Sequence, residues 1–141
     1  MLGAIIGDIA GSRFEFSEIG TIDFNFELFN RKCFFTDDTV HTCAIAKSLI
    51  NNIDYTETIV ELSNKYPKAG YGRMFLYWLS NNDKKPYNSF GNGAAMRVSP
   101  IGWAFNTLEE TLSQAKKCTE ITHNHPEGIK GAQATASAIF L

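Results

Sequence analysis

The sequence predicts an all-α fold, because helix-capping pairs and helical apolar spacing recur through most of the chain. Asp54 with Glu57 and Thr107 with Glu110 have the three-residue spacing of a capping box, in which the side chains satisfy free N–H groups at a helix start. The second pair is followed by apolar residues at helical spacing: Leu108, Leu112, Ala115, Cys118 and Ile121. A chain of 141 residues that is 44% hydrophobic and 20% charged has the size and composition of one globular domain.

Composition also excludes several classes of protein. The net charge is −2 and the basic residues are scattered, so we expect no nucleic-acid partner. Cys33, Cys43 and Cys118 form an odd set without CxxC spacing, which argues against a disulfide framework or a thiolate zinc site and favours a reducing compartment. The apolar N-terminus lacks a basic region and soon reaches Asp8, and no apolar run approaches membrane-spanning length. We therefore expect a cytoplasmic protein with no membrane partner.

The first twelve residues are apolar and predict a helix with a glycine face. Gly3, Gly7 and Gly11 are four residues apart, so on a helix they lie along one side. Asp8 and the short length argue against a membrane dimerisation face. We expect instead that a neighbouring helix of a globular core approaches this side closely.

A phenylalanine-rich loop is predicted to follow. Glu15 lies between Phe14 and Phe16, and it is either a surface residue or a carboxyl group whose pKa an apolar wall can tune, of which the sequence favours the first. Residues 17–35 are interpreted as a loop packed on the helices, although Asp23–Phe26 alternates like a short strand.

The stretch Phe35–Thr39 contains two adjacent carboxylates between two threonines, Thr36-Asp37-Asp38-Thr39. One interpretation makes Asp38 the N-cap of the next helix and Asp37 a neighbour that suits the helix dipole. The other makes the stretch a site for a hard cation, since carboxylate and hydroxyl oxygens suit Mg²⁺, Mn²⁺ or Ca²⁺ better than zinc. Residue types alone favour the cap, because caps are common and sites are few.

Helices are then predicted for most of the remaining chain. The first runs from Thr39 to about residue 49 or 50, the second follows Asp54 and stops at Pro67, and the third covers about 72–79. The polar segment 80–88 is interpreted as a connection, functional or not.

Ser89–Arg97 contains Gly91-Asn92-Gly93 directly before small helix-forming residues. Such a loop allows positive φ angles and exposes N–H groups that bind anions, but without P-loop spacing the motif is weak. Pro100 and Gly102 indicate a buried break in the helix that follows.

Two histidines and a small-residue helix complete the chain. His123 and His125 lie in a turn before Pro126, where each is a cap, a hydrogen-bond donor or, less commonly, a metal ligand. The helix from Glu127 to Leu141 is rich in glycine and alanine and ends on Ile139-Phe140-Leu141, which indicates a helix buried on most sides.

Four ordered blocks together resemble the ADP-ribosylglycohydrolase family, of the dinitrogenase-reductase-activating type, over the whole chain. They are Gly7–Ser12 with Glu15, Phe35–Thr39, Gly91–Arg97, and Thr122-His123 with Gly131-Ala132. The resemblance implies an all-α bundle with a binuclear Mg²⁺ or Mn²⁺ centre. It also implies hydrolysis of the bond between ADP-ribose and a protein side chain or small acceptor.

The resemblance assigns roles to particular residues. It makes Thr36, Asp37 and Asp38 the metal ligands, and Glu15 and Asp37 the catalytic carboxylates. Gly7 and Asp8 become structural support for the site. The substrate-binding residues that it implies are Ser89, Phe90, Gly91, Asn92 and His123.

One family feature is missing from this sequence, namely a second acidic motif, Asp-x-Asp followed by Thr or Ser. Residues 1–141 are therefore expected to be the N-terminal part of a single domain, apparently truncated, with ligands for at most one divalent ion. We expect a homo-oligomer or a separate second half to complete it. The alternatives to an enzyme are an inactive ADP-ribose-binding or structural remnant, and an interaction module without a ligand.

Overall fold

Helices make up all the regular structure of residues 1–15 and 27–141, which are the residues that this computed structural model describes. The all-α prediction is therefore confirmed. No helix in these two ranges has both the length and the apolar character needed to span a membrane. The α-helices are α1 (Leu2–Gly11), α2 (Asp37–Asn51), α3 (Tyr55–Lys65), α4 (Arg73–Ser80), α5 (Ser99–Ala104), α6 (Leu108–Glu120) and α7 (Pro126–Phe140), and two 3₁₀ helices span Ser12–Phe14 and Asn92–Arg97.

The predicted caps are present at the starts of α3 and α6. The Asp54 carboxylate accepts hydrogen bonds from the backbone N–H groups of Thr56 and Glu57, and the Thr107 hydroxyl accepts one from Glu110. The α2 helix ends at Asn52, whose φ of 53° places it in the left-handed conformation that closes many helices. The helix boundaries thus follow local side-chain chemistry.

The core lies where α2, α5, α6 and α7 meet the second 3₁₀ helix. Its centre includes the fully buried side chains of Ile45, Val98, Ile101 and Cys118. The α4 helix joins the core through Phe75, whose ring stacks on Trp78 at 5.3 Å. The segment that carries the acidic pair, at the start of α2, is thereby fixed to the centre of the molecule.

Gly102 marks the closest approach between α5 and α7. A Cβ atom at this position would lie 2.6 Å from Ile139 Cγ2 and 2.8 Å from the Ala136 carbonyl oxygen. The first four residues of the short helix are buried, as the sequence predicts, whereas Trp103 and Ala104 are exposed. Gly102, however, lies within α5, where it allows α5 and α7 to touch.

One expectation about a helix face is wrong for the described residues. No described atom lies within 4 Å of a Cβ placed on Gly3, Gly7 or Gly11, so the glycine face of α1 is open where close packing was expected. The α7 helix is covered on one side and leaves Ala134 and Ala138 exposed. Residues 27–35 are irregular, as predicted, whereas the strand-like pattern at Asp23–Phe26 lies outside the described residues.

Candidate functional site

A cleft of about 380 Å³ brings together residues from distant parts of the chain. Its lining includes the carboxylates of Glu15, Asp37 and Asp38, from the end of the first 3₁₀ helix and the start of α2. It also includes Ser89, Asn92 and His123. Six of the residues that the sequence assigned to a site therefore share one cavity, although more than 100 positions separate the first from the last.

The acidic pair occupies the first turn of α2 because Thr36 is the N-cap. The Thr36 hydroxyl accepts a hydrogen bond from the Asp38 N–H at 3.3 Å. The interpretation of Asp38 as the cap is therefore wrong. Both carboxylates lie instead at the positive end of the helix, where neither is used for capping.

Asp8 holds the cap residue in place from α1. Its carboxylate accepts the Thr36 backbone N–H at 2.8 Å and the Thr36 hydroxyl at 2.6 Å. It also accepts the backbone N–H and the hydroxyl of Thr39. This arrangement agrees with the supporting role that the resemblance gives to Asp8.

The three cleft carboxylates repel one another. Burial raises the pKa of Asp37 to about 6, and the neighbouring charges of Asp38, Glu15 and Asp8 add to the rise. Burial and then the Asp8 carboxylate raise the pKa of Asp38. The exposed Glu15 side chain also has a raised pKa, through partial desolvation first and the charge of Asp38 second. The site therefore favours binding a positive charge or a proton.

The donor set suits a hard divalent cation but supplies only part of a coordination shell. Carboxylate oxygens of Asp37 and Asp38 are preferred ligands of Mg²⁺ and Mn²⁺. Thr36 gives its hydroxyl proton to Asp8, which leaves oxygen lone pairs for other partners. No three His, Cys, Asp or Glu side chains within residues 1–15 and 27–141 are arranged to hold a metal.

Only some of the substrate-binding residues predicted in the glycine loop line the cleft. Ser89 and Asn92 line the cavity, whereas Gly91 lies outside it and Phe90 is 73% exposed, with its ring 5.4 Å from that of His125. Gly91 has a φ of −65°, and Gly70 is the one described glycine with a positive φ. The loop is therefore not a cradle built on left-handed glycines.

Two backbone N–H groups just before this loop bond to the turn that carries His123. The Tyr87 N–H donates to the Thr122 carbonyl at 3.2 Å, and the Asn88 N–H donates to Asn124 Oδ1 at 2.7 Å. Gly93 allows a close approach, since a Cβ there would lie 3.1 Å from both Cε1 and Nε2 of His123. The His123 ring thus packs directly on the glycine loop.

His123 and His125 have different environments. His123 is buried, its Nδ1 lies 2.7 Å from Thr122 Oγ1, and burial followed by the charge of Arg97 lowers its pKa to about 4. His125 is the N-cap of α7, where its Nδ1 accepts the Glu127 N–H. Of the two, only His123 lines the cleft.

Sequence reasoning missed two residues on the cleft floor. His41 is one turn after Asp37 on α2, and its ring packs against Phe75 at 4.7 Å. Burial lowers the pKa of His41 to about 3, with Arg97 and His123 contributing. Arg97 is 1% exposed and ends the Gly91–Arg97 block, which carried no role for it. For His41 the sequence did offer a signal, because its four-residue spacing from Asp37 places both side chains on one face of the helix.

Comparisons with known proteins agree with the motif order. A family model described as ADP-ribosylglycohydrolase matches residues 1–141, which confirms the resemblance. The ADP-ribosylhydrolase ARH3 of Xenopus tropicalis is 28% identical over 169 aligned positions, covering 99% of this chain and 48% of the frog protein. The proteins of the same name from Mus musculus and Homo sapiens are 28% and 27% identical over 127 positions, covering 77% of this chain and 34% and 35% of theirs. The chain spans half or less of the length of these relatives.

Proposed function

Since this chain belongs to the ADP-ribosylglycohydrolase family, we propose that it serves the hydrolysis of the glycosidic bond between ADP-ribose and a protein side chain or small acceptor. The observation that carries the proposal is the shared cleft of Glu15, Asp37 and Asp38 with Ser89, Asn92 and His123. A cavity lined by carboxylates and by hydrogen-bonding groups suits a polar ligand with a reactive glycosidic carbon.

In this proposal the carboxylates carry the chemistry. Glu15 lines the cleft with an exposed side chain, and in this proposal it takes a proton from the attacking water. The water oxygen then bonds to the glycosidic carbon of ADP-ribose, the bond from that carbon to the acceptor breaks, and the proton passes to the acceptor. The raised pKa of Glu15 makes its carboxylate a better proton acceptor than an ordinary surface glutamate.

Thr36, Asp37 and Asp38 would hold the divalent cation in this proposal. A bound Mg²⁺ or Mn²⁺ supplies positive charge that orients and polarises ribose hydroxyls. Because three oxygen donors are about half of the six that Mg²⁺ requires, we propose one weakly held ion for this chain, with water completing its shell. Titration with Mn²⁺ tests this stoichiometry, and two tightly bound ions per chain would contradict it.

Binding of ADP-ribose without turnover is the alternative. It is favoured because, within the part of the chain that the structure describes, no three acidic, histidine or cysteine side chains are arranged to hold a metal ion. On this alternative Ser89, Asn92 and His123 still hold ADP-ribose, while the carboxylates are too few to complete the catalytic centre.

Two measurements test the proposal. Calorimetry measures ADP-ribose binding, and release of ADP-ribose from modified arginine or serine peptides is followed with Mn²⁺ or with EDTA. We expect binding, metal-dependent release, and a loss of at least about 100-fold in release for Glu15→Gln and Asp37→Asn. Binding without release supports the alternative, and the absence of binding contradicts both.

We further propose that residues 1–141 form part of a larger domain that a second copy or a separately encoded half completes. Support comes from the groove between α1, α5 and α7, in whose lining Trp103 is 70% exposed. Light scattering tests self-association. A cytoplasmic location is also proposed, because Cys33, Cys43 and Cys118 are all free thiols.

A further inference from the structure

Arg97 is a buried cation that no described carboxylate pairs with. Its Nη2 donates to the carbonyl of Cys118 at 2.7 Å and to the Thr122 hydroxyl at 2.9 Å, with a longer contact to the Thr119 carbonyl at 3.3 Å. Its Nε has no hydrogen-bond partner among the described residues. The guanidinium remains protonated and only donates. The Thr122 oxygen is therefore the acceptor in its bond with Arg97.

The hydrogen bond that Thr122 accepts from Arg97 bears on the one between Thr122 and His123. A threonine hydroxyl has a single proton, and the only other described partner of Thr122 Oγ1 is His123 Nδ1 at 2.7 Å. Thr122 is fully buried, so its hydroxyl proton needs an acceptor, and Nδ1 is the acceptor that the described residues offer. Nδ1 must be unprotonated to accept that proton. A neutral imidazole with a bare Nδ1 carries its proton on Nε2.

The Nε2 atom lies at the wall of the cleft. His123 lines the cavity, and its Nε2 and Cε1 face Gly93 closely enough that a Cβ there would be 3.1 Å away. No described residue accepts a hydrogen bond from Nε2. The donor is therefore available to a molecule in the cleft.

We propose that Arg97 and Thr122 are positioning residues that fix His123 as its neutral Nε2–H tautomer, which donates a hydrogen bond to an oxygen of the bound ADP-ribose. The part that names ADP-ribose rests on the proposed function. A neutral donor suits this cleft, because it binds a ligand oxygen without adding a further positive charge to the cavity that contains the proposed cation site at Asp37 and Asp38.

The tautomer is measured directly by NMR of the ¹⁵N-labelled, unmodified chain. Two-bond ¹H–¹⁵N correlations distinguish protonated from unprotonated ring nitrogens, and His123→Gln identifies the signals of His123 by their loss. We expect an unprotonated Nδ1 and a protonated Nε2 near neutral pH. The reverse pattern, or a rapidly exchanging mixture, overturns the proposal, and this measurement requires no other folded variant.

Substitutions of Thr122 test the effect on the ligand. Thr122→Val removes the hydroxyl with little change in volume, and we expect ADP-ribose binding to weaken by about three- to tenfold while the fixed tautomer is lost. Thr122→Ser keeps the hydroxyl and should bind within about twofold of the original chain. Thr111→Val is the matched control, because Thr111 is equally buried and its hydroxyl donates to the Thr107 carbonyl, away from His123.

The outcomes separate this proposal from the proposed function. An Nε2–H tautomer in a chain that does not bind ADP-ribose supports the positioning role and overturns the ligand assignment. Binding of ADP-ribose with an Nδ1–H tautomer leaves the proposed function in place and overturns the positioning role. Equal weakening by Thr122→Val and Thr111→Val also overturns it, because a general packing defect then explains both.

Discussion

The Asp8 carboxylate lies 2.8 Å from the Thr36 backbone nitrogen and 2.6 Å from the Thr36 hydroxyl oxygen, which joins α1 to the cap of α2. Most helix caps are formed by a side chain near the helix start in sequence. Here a carboxylate 28 positions away supports the cap residue itself. The position of the acidic pair therefore depends on α1.

Replacing Asp8 should cost more stability than replacing an ordinary cap. We expect Asp8→Ala to lower the free energy of unfolding by about 2–3 kcal/mol, because several hydrogen bonds to one charged group are lost. Asp54→Ala is the control, since Asp54 caps α3 with local bonds, and should cost about 1 kcal/mol. Urea denaturation measures both, and equal losses would contradict the special role of Asp8.

The raised pKa of Asp37 predicts a pH-dependent effect of its replacement. As pH rises from about 4 to about 6, Asp37 ionises readily in the unfolded chain and reluctantly in the folded one, so the fold loses stability across that window. Full conversion of the shift gives about 3 kcal/mol, but the side chain is partly exposed and we expect about 1 kcal/mol.

In EDTA, Asp37→Asn should therefore stabilise the chain at about pH 8 and have little effect at about pH 4. Thermal unfolding at both pH values measures this difference. Replacing EDTA with Mn²⁺ is the control, because the cation should stabilise the original chain more than the variant. A variant that is less stable in EDTA at both pH values would show that Asp37 is not strained by its neighbours.

Gly93 and Gly91 form a matched pair for testing the cleft wall. Gly93→Ala places a methyl group 3.1 Å from the His123 ring, which must shift by a few tenths of an ångström. We expect ADP-ribose binding to weaken about three- to tenfold. At Gly91 the nearest atom, Ser89 Oγ, is at an ordinary 3.5 Å, so Gly91→Ala should bind normally. Calorimetry compares them, and equal affinities would place the ligand away from His123.

Two further glycines should respond with opposite signs. Gly102→Ala must separate α5 from α7, because the new Cβ meets the Ala136 carbonyl oxygen at 2.8 Å, and we expect a loss of about 1–3 kcal/mol. Gly131→Ala on the open side of α7 meets no described atom within 4 Å and should add about 0.5–1 kcal/mol by improving helix propensity. Chemical denaturation measures both, and a stable Gly102→Ala would contradict the close helix contact.

Much of the fold could be predicted from the sequence, because its signals are local. Asp54 and Thr107 cap the helices that begin at the next residue, and each forms its capping bonds within three residues. Pro126 is the first residue of α7. The acidic pair was also visible as a candidate, although sequence alone preferred Asp38 as a cap. Thr36 is the N-cap instead: its hydroxyl oxygen accepts the Asp38 N–H, and its hydroxyl proton is donated to Asp8 on α1.

The missed features depend on contacts between distant segments. Nothing near Arg97 in sequence indicates burial, since the partners of its guanidinium begin 21 positions later at Cys118. The open glycine face of α1 was missed for the converse reason, because spacing shows that a face exists but not whether another helix covers it. Pairings of this kind require the tertiary structure.

The attachment of α1 has a consequence for the order in which the molecule opens. Among the described residues this helix packs mainly on α2 and buries Ala10, and the Asp8 carboxylate joins it to the cap of α2, whereas α6 and α7 pack extensively on each other. Segments with few buried contacts exchange their amide hydrogens through local opening before the whole chain unfolds. Amides of α1 should therefore exchange earlier than those of α6. Each such opening also withdraws Asp8 from Thr36, so the first turn of α2 should exchange together with α1 as one unit.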